Sequence, residues 1–169
     1  MRGRSTLLLL GRDETGSALV EGAILLPLLI VLFIGIFEFS WFFYQQHLIS
    51  LGVRDAARYL ARLPDPCETA APLWTAAEAR ARNLAATGSI YGGTPRVNGW
   101  TAAMVTASCR PVANVIDLEG LPSYRGGSAI YVVTVSTRFR EPTLGFFGLL
   151  GLDAPQISAS HSERVIGPG

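Results

Sequence analysis

The hydrophobic pattern divides the chain into a continuous apolar stretch near the N-terminus and an alternating region behind it. Residues 22–37 carry no charged side chain, and the apolar character extends outward to Ser17 and Tyr44. As a helix, residues 22–37 cover about 24 Å, and the flanking residues extend this to a hydrocarbon core of ~30 Å. The pattern therefore predicts a transmembrane helix over residues 17–44.

The helical pattern continues past this membrane-length segment. Residues 45–63 contain no proline and little glycine, and their apolar residues recur at helical spacing. Pro64 and Pro66 then end the pattern, because proline cannot donate a backbone hydrogen bond. We expect one helix over residues 17–62, with a bend or one open hydrogen bond at Pro27, which a membrane helix tolerates.

Three arginines lie four residues apart on the helix extension. Arg54, Arg58 and Arg62 fall on one face, with Asp55 beside them. Two interpretations remain open. The stripe is a solvated face that Asp55 partly neutralises, or it contacts anionic lipid headgroups or an acidic partner.

The remaining residues, 64–169, are sufficient for one small domain. A proline-rich connector leads into a predicted helix at Pro72–Thr87, because proline suits the first helical position and alanine dominates the segment. Gly88 ends that helix, and a turn-rich loop covers residues 89–99. Strand-type sequence follows in three segments, 101–110, 129–140 and 156–165.

The middle segment shows the clearest alternation of side chains. One face of it holds Tyr131, Val133, Val135, Thr137 and Phe139, and the other face holds Ile130, Val132, Thr134, Ser136 and Arg138. The chain is therefore predicted to be an α+β protein. Its long N-terminal transmembrane helix extends into a small domain with one further helix and an antiparallel sheet.

An apolar run, Leu144–Leu152, separates the last two predicted strands. It is too short to cross a bilayer. Three roles remain open for it: it covers the open face of the sheet, it dips into the membrane surface, or it docks on a neighbouring subunit.

Composition argues against several classes of function. The net charge is +1 and the pI is near 7.8, so the sequence predicts no basic patch for nucleic acid. It shows no phosphate-binding glycine loop, no nucleophile elbow and no metal-ligand spacing. The two histidines, His47 and His161, are interpreted as surface residues. The sequence therefore predicts that the protein is not an enzyme and has no cofactor or metal.

The two cysteines, Cys67 and Cys109, both follow the apolar helix. A single pair in an exported domain predicts one disulfide and an oxidising compartment, and the alternative is two unpaired thiols. The arginines near the two ends of the helix favour neither orientation. We therefore use the cysteines to place the N-terminus in the cytoplasm and residues 64–169 in the periplasm, with the helix in the bacterial inner membrane.

A polar leader ends at Gly16, immediately before the apolar helix. Ser17 follows, and Glu21 is the one carboxylate between the leader and the uncharged run. A carboxylate at the edge of a membrane segment is costly and needs a reason. The arrangement resembles a type IV prepilin leader over residues 1–16, which is cut after the glycine so that the glutamate becomes the fifth residue of the mature chain. Glu38 lies at the opposite edge, roughly 26 Å from Glu21 along the helix.

Two simpler interpretations of the apolar segment compete with this one. A cleaved secretory signal is disfavoured, because the apolar run is longer than a normal signal core and no Ala-x-Ala site follows it closely. An ordinary membrane anchor without a pilin role remains open, because hydropathy alone does not distinguish it.

Four motifs occur together in the first third of the chain. They are residues 13–21 (DETGSALVE), 26–29 (LPLL), 35–39 (GIFEF) and 53–59 (VRDAARY). Together they resemble the TadE-like family of the tight-adherence (Tad/Flp) pilus system.

The resemblance implies a minor pilin or pseudopilin that a prepilin peptidase cuts between Gly16 and Ser17. It implies action in pilus assembly, and hence in adhesion, with other Tad pilins and inner-membrane assembly proteins as partners. Glu21 and Glu38 are the candidate assembly residues. The alternative function, from a different class, is a membrane-anchored extracytoplasmic binding protein or adhesin unrelated to a pilus.

We predict cleavage after Gly16. A glycine lets the backbone enter a narrow peptidase site without a side-chain clash, so Gly16→Val should leave the leader attached. N-terminal sequencing of the protein from its native host is the measurement, and a mature chain that begins anywhere but Ser17 would contradict the prediction.

Overall fold

A computed structural model describes residues 14–63, 67, 72–124, 128–140, 145–149 and 151–166. In chain order its elements are α1 (Glu14–Ala61), α2 (Pro72–Thr87), β1 (Val105–Ala113), β2 (Ala129–Arg140), the short helix α3 (Gly145–Leu149) and β3 (Gln156–Arg164). These elements confirm the predicted α+β fold with a long apolar N-terminal helix, one further full-length helix and an antiparallel sheet.

Helix α1 is continuous and passes through Pro27 without interruption. It ends one residue before the predicted end, because Arg62 and Leu63 donate to carbonyls only three residues back, at 3.4 and 3.2 Å. Residues 1–13 of the predicted leader, which spans residues 1–16, lie outside the described residues, and residues 14–16 belong to α1. The two helix-ending prolines, Pro64 and Pro66, also lie outside the described residues. The described chain divides into two compact units, with the boundary inside α1, between Trp41 and Phe42.

Helix α2 has the predicted bounds, and Gly88 ends it as predicted. The glycine has a φ of +81°, a left-handed conformation that is costly for residues with a Cβ. The following loop returns to the helix, because the Arg96 N–H donates to the Ala86 carbonyl at 2.7 Å and the Asn83 side chain donates to the Ile90 carbonyl at 3.3 Å.

The sheet has the order β1-β2-β3, and both strand pairs are antiparallel. The prediction for β2 was correct at both ends, and β3 ends at Arg164, one residue earlier than predicted. The prediction for β1 was displaced. Residues 102–104 form a turn of 3-10 helix, and the strand continues through Pro111 to Ala113. Proline is compatible with this position because β1 is an edge strand.

The alternation in β2 separates a buried inner face from an outer face. Val133, Val135, Thr137 and Phe139 are buried, whereas Tyr131 on the same face is exposed. The inner face packs with the second half of α1 and with α2 into one hydrophobic core. The residues of α1 in this core are Ile49, Val53, Ala56, Ala57 and Leu60, and those of α2 are Trp74, Ala77, Ala81 and Ala85.

The two helices approach closely at Gly52. A Cβ on this glycine would overlap the carbonyl oxygen of Ala85 and would lie 2.8 Å from Cη2 of Trp100. Glycine and alanine at these positions therefore let α1 and α2 come together with the indole of Trp100 beside them.

Trp100 is completely buried and joins this helix pair to the sheet. Its indole N–H donates to Oγ1 of Thr137 at 3.0 Å, and the Thr137 hydroxyl donates to the Met104 carbonyl at 2.8 Å. We call these two hydrogen bonds the Trp100–Thr137 relay. Each buried polar group in the relay has a hydrogen-bond partner, which offsets the free-energy cost of removing that group from water. The relay also holds the 3-10 turn in front of β1, so residues 102–104 do not extend the strand.

Cys67 and Cys109 form a disulfide, with their Cα atoms 5.3 Å apart and a sequence separation of 42 positions. The bond ties the connector after α1 to β1. Closing a loop of this length contributes about 4 kcal/mol in the chain-entropy account.

The apolar run Leu144–Leu152 is only partly described. Residues 145–149 form α3, and Leu152 is exposed. Leu144 and Leu150 lie outside the described residues, and the role of the run therefore stays a prediction.

We predict that Gly52→Ala destabilises the protein by about 1–3 kcal/mol, because the added methyl group overpacks the contact with Ala85 and Trp100. Denaturant unfolding of the full chain in detergent micelles, followed by near-UV circular dichroism, measures the change. Gly22→Ala is the matched control in the same helix, because nothing lies within 4 Å of its added Cβ. Equal stability of the two variants would contradict the prediction.

Candidate functional site

The predicted processing position lies within α1. Gly16 and Ser17 are helical and exposed, and a Cβ built on Gly16 meets nothing within 4 Å. The backbone of Gly16 is also outside the left-handed region that favours glycine. Neither packing nor backbone conformation in the described part of the chain therefore requires glycine at this position.

Glu21 is exposed on the same helix, four residues after Ser17. This spacing places the two residues on one face, about one turn apart. In the full chain Glu21 lies in the third turn of α1. In a chain that begins at Ser17 it would lie in the first turns, where a carboxylate interacts favourably with the helix dipole.

Glu38 lies at the other end of the apolar segment and is half-buried. Two residues further on, the Ser40 hydroxyl donates to the Ile36 carbonyl at 2.7 Å, and Trp41 is exposed. Glu21 and Glu38 are thus separated by the length of the apolar segment. Of the predicted site residues, the structure brings only Cys67 and Cys109 together.

The helix between the two glutamates has no protein covering in the described residues. Every large apolar side chain from Leu19 to Phe37 is exposed, with exposed fractions between 42% for Ile34 and 75% for Leu19. Residues Gly16–Ala61 meet the length and composition of a membrane span, with a mean hydropathy of 2.7 over the best window, none of which is buried. Exposure of this apolar surface to water would be strongly unfavourable. A lipid bilayer or other apolar helices would cover it.

The arginine stripe on the second half of α1 has partners that the sequence analysis did not identify. Nε of Arg58 lies 3.5 Å from Oε1 of Glu163, on β3. Asp55 accepts a hydrogen bond from Arg96 at 2.7 Å, across 41 residues of sequence. Among the described ion pairs, the carboxylate that contacts the stripe is therefore Glu163. Asp55 instead ties α1 to the loop after α2. No local spacing could have indicated either pair, because the partners are remote in sequence.

Glu163 also contacts His161, two residues earlier on the same face of β3. Nε2 of the imidazole lies 3.0 Å from Oε1 of the carboxylate. The hydrogen bond from His161 is the main reason that the pKa of Glu163 is lowered below its ordinary value, and the charge of Arg58 acts in the same direction. Arg58, His161 and Glu163 therefore form a surface network that joins β3 to α1.

Among the described residues, no group of three or more histidine, cysteine or acidic side chains is arranged to hold a metal ion. His47 is exposed on α1, and His161 belongs to the network with Glu163.

The first part of the chain matches a known protein family. A family model described as TadE-like protein matches residues 16–58. This segment is therefore similar to TadE-like proteins. The match begins at the predicted scissile glycine and ends at Arg58, so it covers the apolar helix and the first part of its extension. No curated protein matches the chain significantly, and no solved structure does so either.

We predict that His161→Phe raises the pKa of Glu163 towards its ordinary value, because the substitution removes the strongest hydrogen bond to the carboxylate. Carbon-13 NMR titration of the glutamate carboxyls of the full chain in micelles measures this pKa, with Glu163→Gln identifying the signal. Arg58→Gln should cause a smaller rise.

The sign of the pH dependence follows from the lowered pKa in the folded state. The ionised carboxylate stabilises the fold above the unfolded pKa of about 4.3, and this contribution is lost as the pH falls through the lower folded value. His161→Phe should therefore flatten the acid side of the stability profile. An unchanged Glu163 titration in this variant would contradict the assignment.

Proposed function

We propose that this chain is a membrane-anchored minor pilin or pseudopilin that acts in the assembly of a Tad-type (type IVb) pilus, and hence in adhesion. The observation that carries the proposal is the position of Gly16. The TadE-like segment starts at this residue, a helical glycine that the described contacts do not require, directly before an exposed apolar helix. A glycine that the fold does not need is consistent with recognition by another protein, here the prepilin peptidase.

In this proposal the peptidase removes residues 1–16 at the cytoplasmic face of the inner membrane. The mature chain then begins with the α-ammonium group of Ser17, and Glu21 becomes its fifth residue. The carboxylate contributes about 0.3–1 kcal/mol through the helix dipole. Within a bundle of such helices it also pairs with the ammonium group of a neighbouring subunit, so that two charges enter the low-dielectric environment together.

The exposed apolar surface of α1 supports the same proposal. Lipid covers this surface before assembly, and the helices of other Tad pilins or of inner-membrane assembly proteins cover it afterwards. Glu38 marks the far edge of the apolar segment, where its carboxylate reaches the headgroup region. The periplasmic unit carries the Cys67–Cys109 disulfide, which suits an oxidising compartment.

The proposed role is structural and not enzymatic. Two of the interactions between described polar side chains, the Trp100–Thr137 hydrogen bond and the Asp55–Arg96 pair, join remote parts of the fold. Assembly by helix packing needs no catalytic group, cofactor or metal from this chain.

We predict that Glu21→Ala is cleaved normally but does not support piliation, because the carboxylate acts after cleavage. N-terminal sequencing reports cleavage, and quantification of surface pili reports assembly. Glu119→Ala, which removes an exposed carboxylate from the loop between β1 and β2, is the matched control and should leave both readouts unchanged.

Deletion of the gene separates two ways in which this prediction can fail. Normal pili in the deletion strain would refute the proposed function as a whole. Loss of pili in the deletion strain with normal pili in Glu21→Ala would refute only the role of the carboxylate.

A further inference from the structure

The outer face of the sheet has an unusual chemistry. We define the outer face as the outward-pointing residues of the three strands, which the antiparallel registers place side by side in rows. Its hydroxyl-bearing residues are Thr106, Ser108, Thr134, Ser136, Ser158, Ser160 and Ser162, and its charged residues are Arg110, Arg138, Arg140 and Arg164. None of its outward positions is occupied by aspartate or glutamate.

The arginines form a positively charged border around the hydroxyl rows. In one row, Arg110 and Arg164 flank Val132, and at the other end Arg138 lies opposite Ser158. Arg110 and Arg138 are exposed, and neither forms an ion pair with another described residue. Within the described part of the chain, no carboxylate therefore neutralises these two guanidinium groups.

The other two arginines are held by neighbours from the adjoining loops. Arg140 lies 3.8 Å from Asp153, a residue whose side chain is almost fully exposed. The guanidinium of Arg164 lies 4.7 Å from the ring centre of Tyr124. The contact with Tyr124 leaves the charge of Arg164 in place, so only the Arg140 end of the face is partly neutralised.

The hydroxyl rows are ordered by hydrogen bonds across the strands. Oγ1 of Thr106 lies 2.9 Å from Oγ of Ser136, and Oγ1 of Thr134 lies 2.8 Å from Oγ of Ser162. A hollow of about 680 Å³ lies along these rows, with Thr106, Ser136, Arg138 and Ser160 among the residues that line it. A hydroxyl can donate one hydrogen bond and accept two, so each pair retains capacity for a ligand.

We propose that the outer face binds a carboxylated polysaccharide. Guanidinium groups bind carboxylates through paired, charge-assisted hydrogen bonds, and the rows of serine and threonine match the many hydroxyls of a sugar chain. The repeating strand geometry offers the same pattern along the sheet, which suits a polymer with repeated acidic units. This inference does not rest on a role in pilus assembly.

Two other anionic partners fit the outer face less well. A single-stranded nucleic acid is usually held by aromatic side chains on which its bases stack, and no outward position of the three strands is aromatic. Binding to a membrane surface combines electrostatic attraction to anionic headgroups with apolar side chains that enter the headgroup region. The apolar outward residues, Val112, Ile130 and Val132, are half-buried and confined to one end of the face.

The test uses the full chain in nanodiscs of zwitterionic lipid, with alginate as the carboxylated polysaccharide and dextran as the neutral one. The protein should bind alginate and not dextran, and binding should be lost at about 0.5 M salt, where surface charges are screened. The double variant Arg110→Gln/Arg138→Gln should bind alginate about tenfold more weakly, a change equivalent to about 1.4 kcal/mol.

A matched variant, Arg62→Gln/Arg80→Gln, removes the same charge from exposed positions on the helix side and should retain binding. A second variant, Ser158→Ala/Ser160→Ala, should weaken binding to alginate but not to polyacrylate, which has carboxylates and no hydroxyls. Circular dichroism confirms that each variant is folded.

Several results would overturn the proposal. The first is that the protein does not bind alginate. The second is that the Arg62→Gln/Arg80→Gln variant loses as much affinity for alginate as the Arg110→Gln/Arg138→Gln variant. The third is that the protein binds duplex DNA or phosphatidylglycerol vesicles and that alginate does not displace them.

Discussion

The close contact at Gly52 is the constraint on which the C-terminal unit depends. The backbone of α1 approaches the carbonyl of Ala85 so closely that no side chain fits between them, and Trp100 closes the remaining space. Because the indole of Trp100 also donates to Thr137, the helix pair and the sheet share one buried residue. The Thr137 hydroxyl in turn donates to the Met104 carbonyl, so the same junction also connects to the turn before β1.

The two halves of α1 are stabilised in different ways, although they form one continuous helix. In its second half, the helix buries small and branched residues against α2 and the sheet, so its stability comes from tertiary packing. In its first half, the apolar side chains are exposed, and their environment must come from lipid or from other helices. The match to TadE-like proteins covers parts of both halves, which indicates that the family pattern includes the extension as well as the membrane segment.

Charge in this protein is organised by tertiary structure. The net charge of +1 indicates a nearly neutral molecule, and on this ground the sequence predicted no basic patch for nucleic acid. The sheet, however, places four arginines on a face whose outward strand positions hold no carboxylate, while Asp55 and Glu163 form ion pairs around α1. A total charge cannot reveal this segregation, because it averages over faces that contact different partners.

The sequence by itself determined the elements whose signals are local. The uncharged run of residues 22–37, the proline and glycine that bound α2, and the alternation in β2 each predicted an element that the structure contains. The candidate processing and assembly residues were likewise defined by local order, with Gly16, Ser17 and Glu21 at fixed distances from the apolar run. Tertiary structure alone decided the contacts between remote residues: the strand register, the end of β1, the Gly52–Trp100 junction and the partner of Asp55. These depend on packing and on hydrogen bonds between segments that are far apart in the chain, so no periodicity within one segment encodes them.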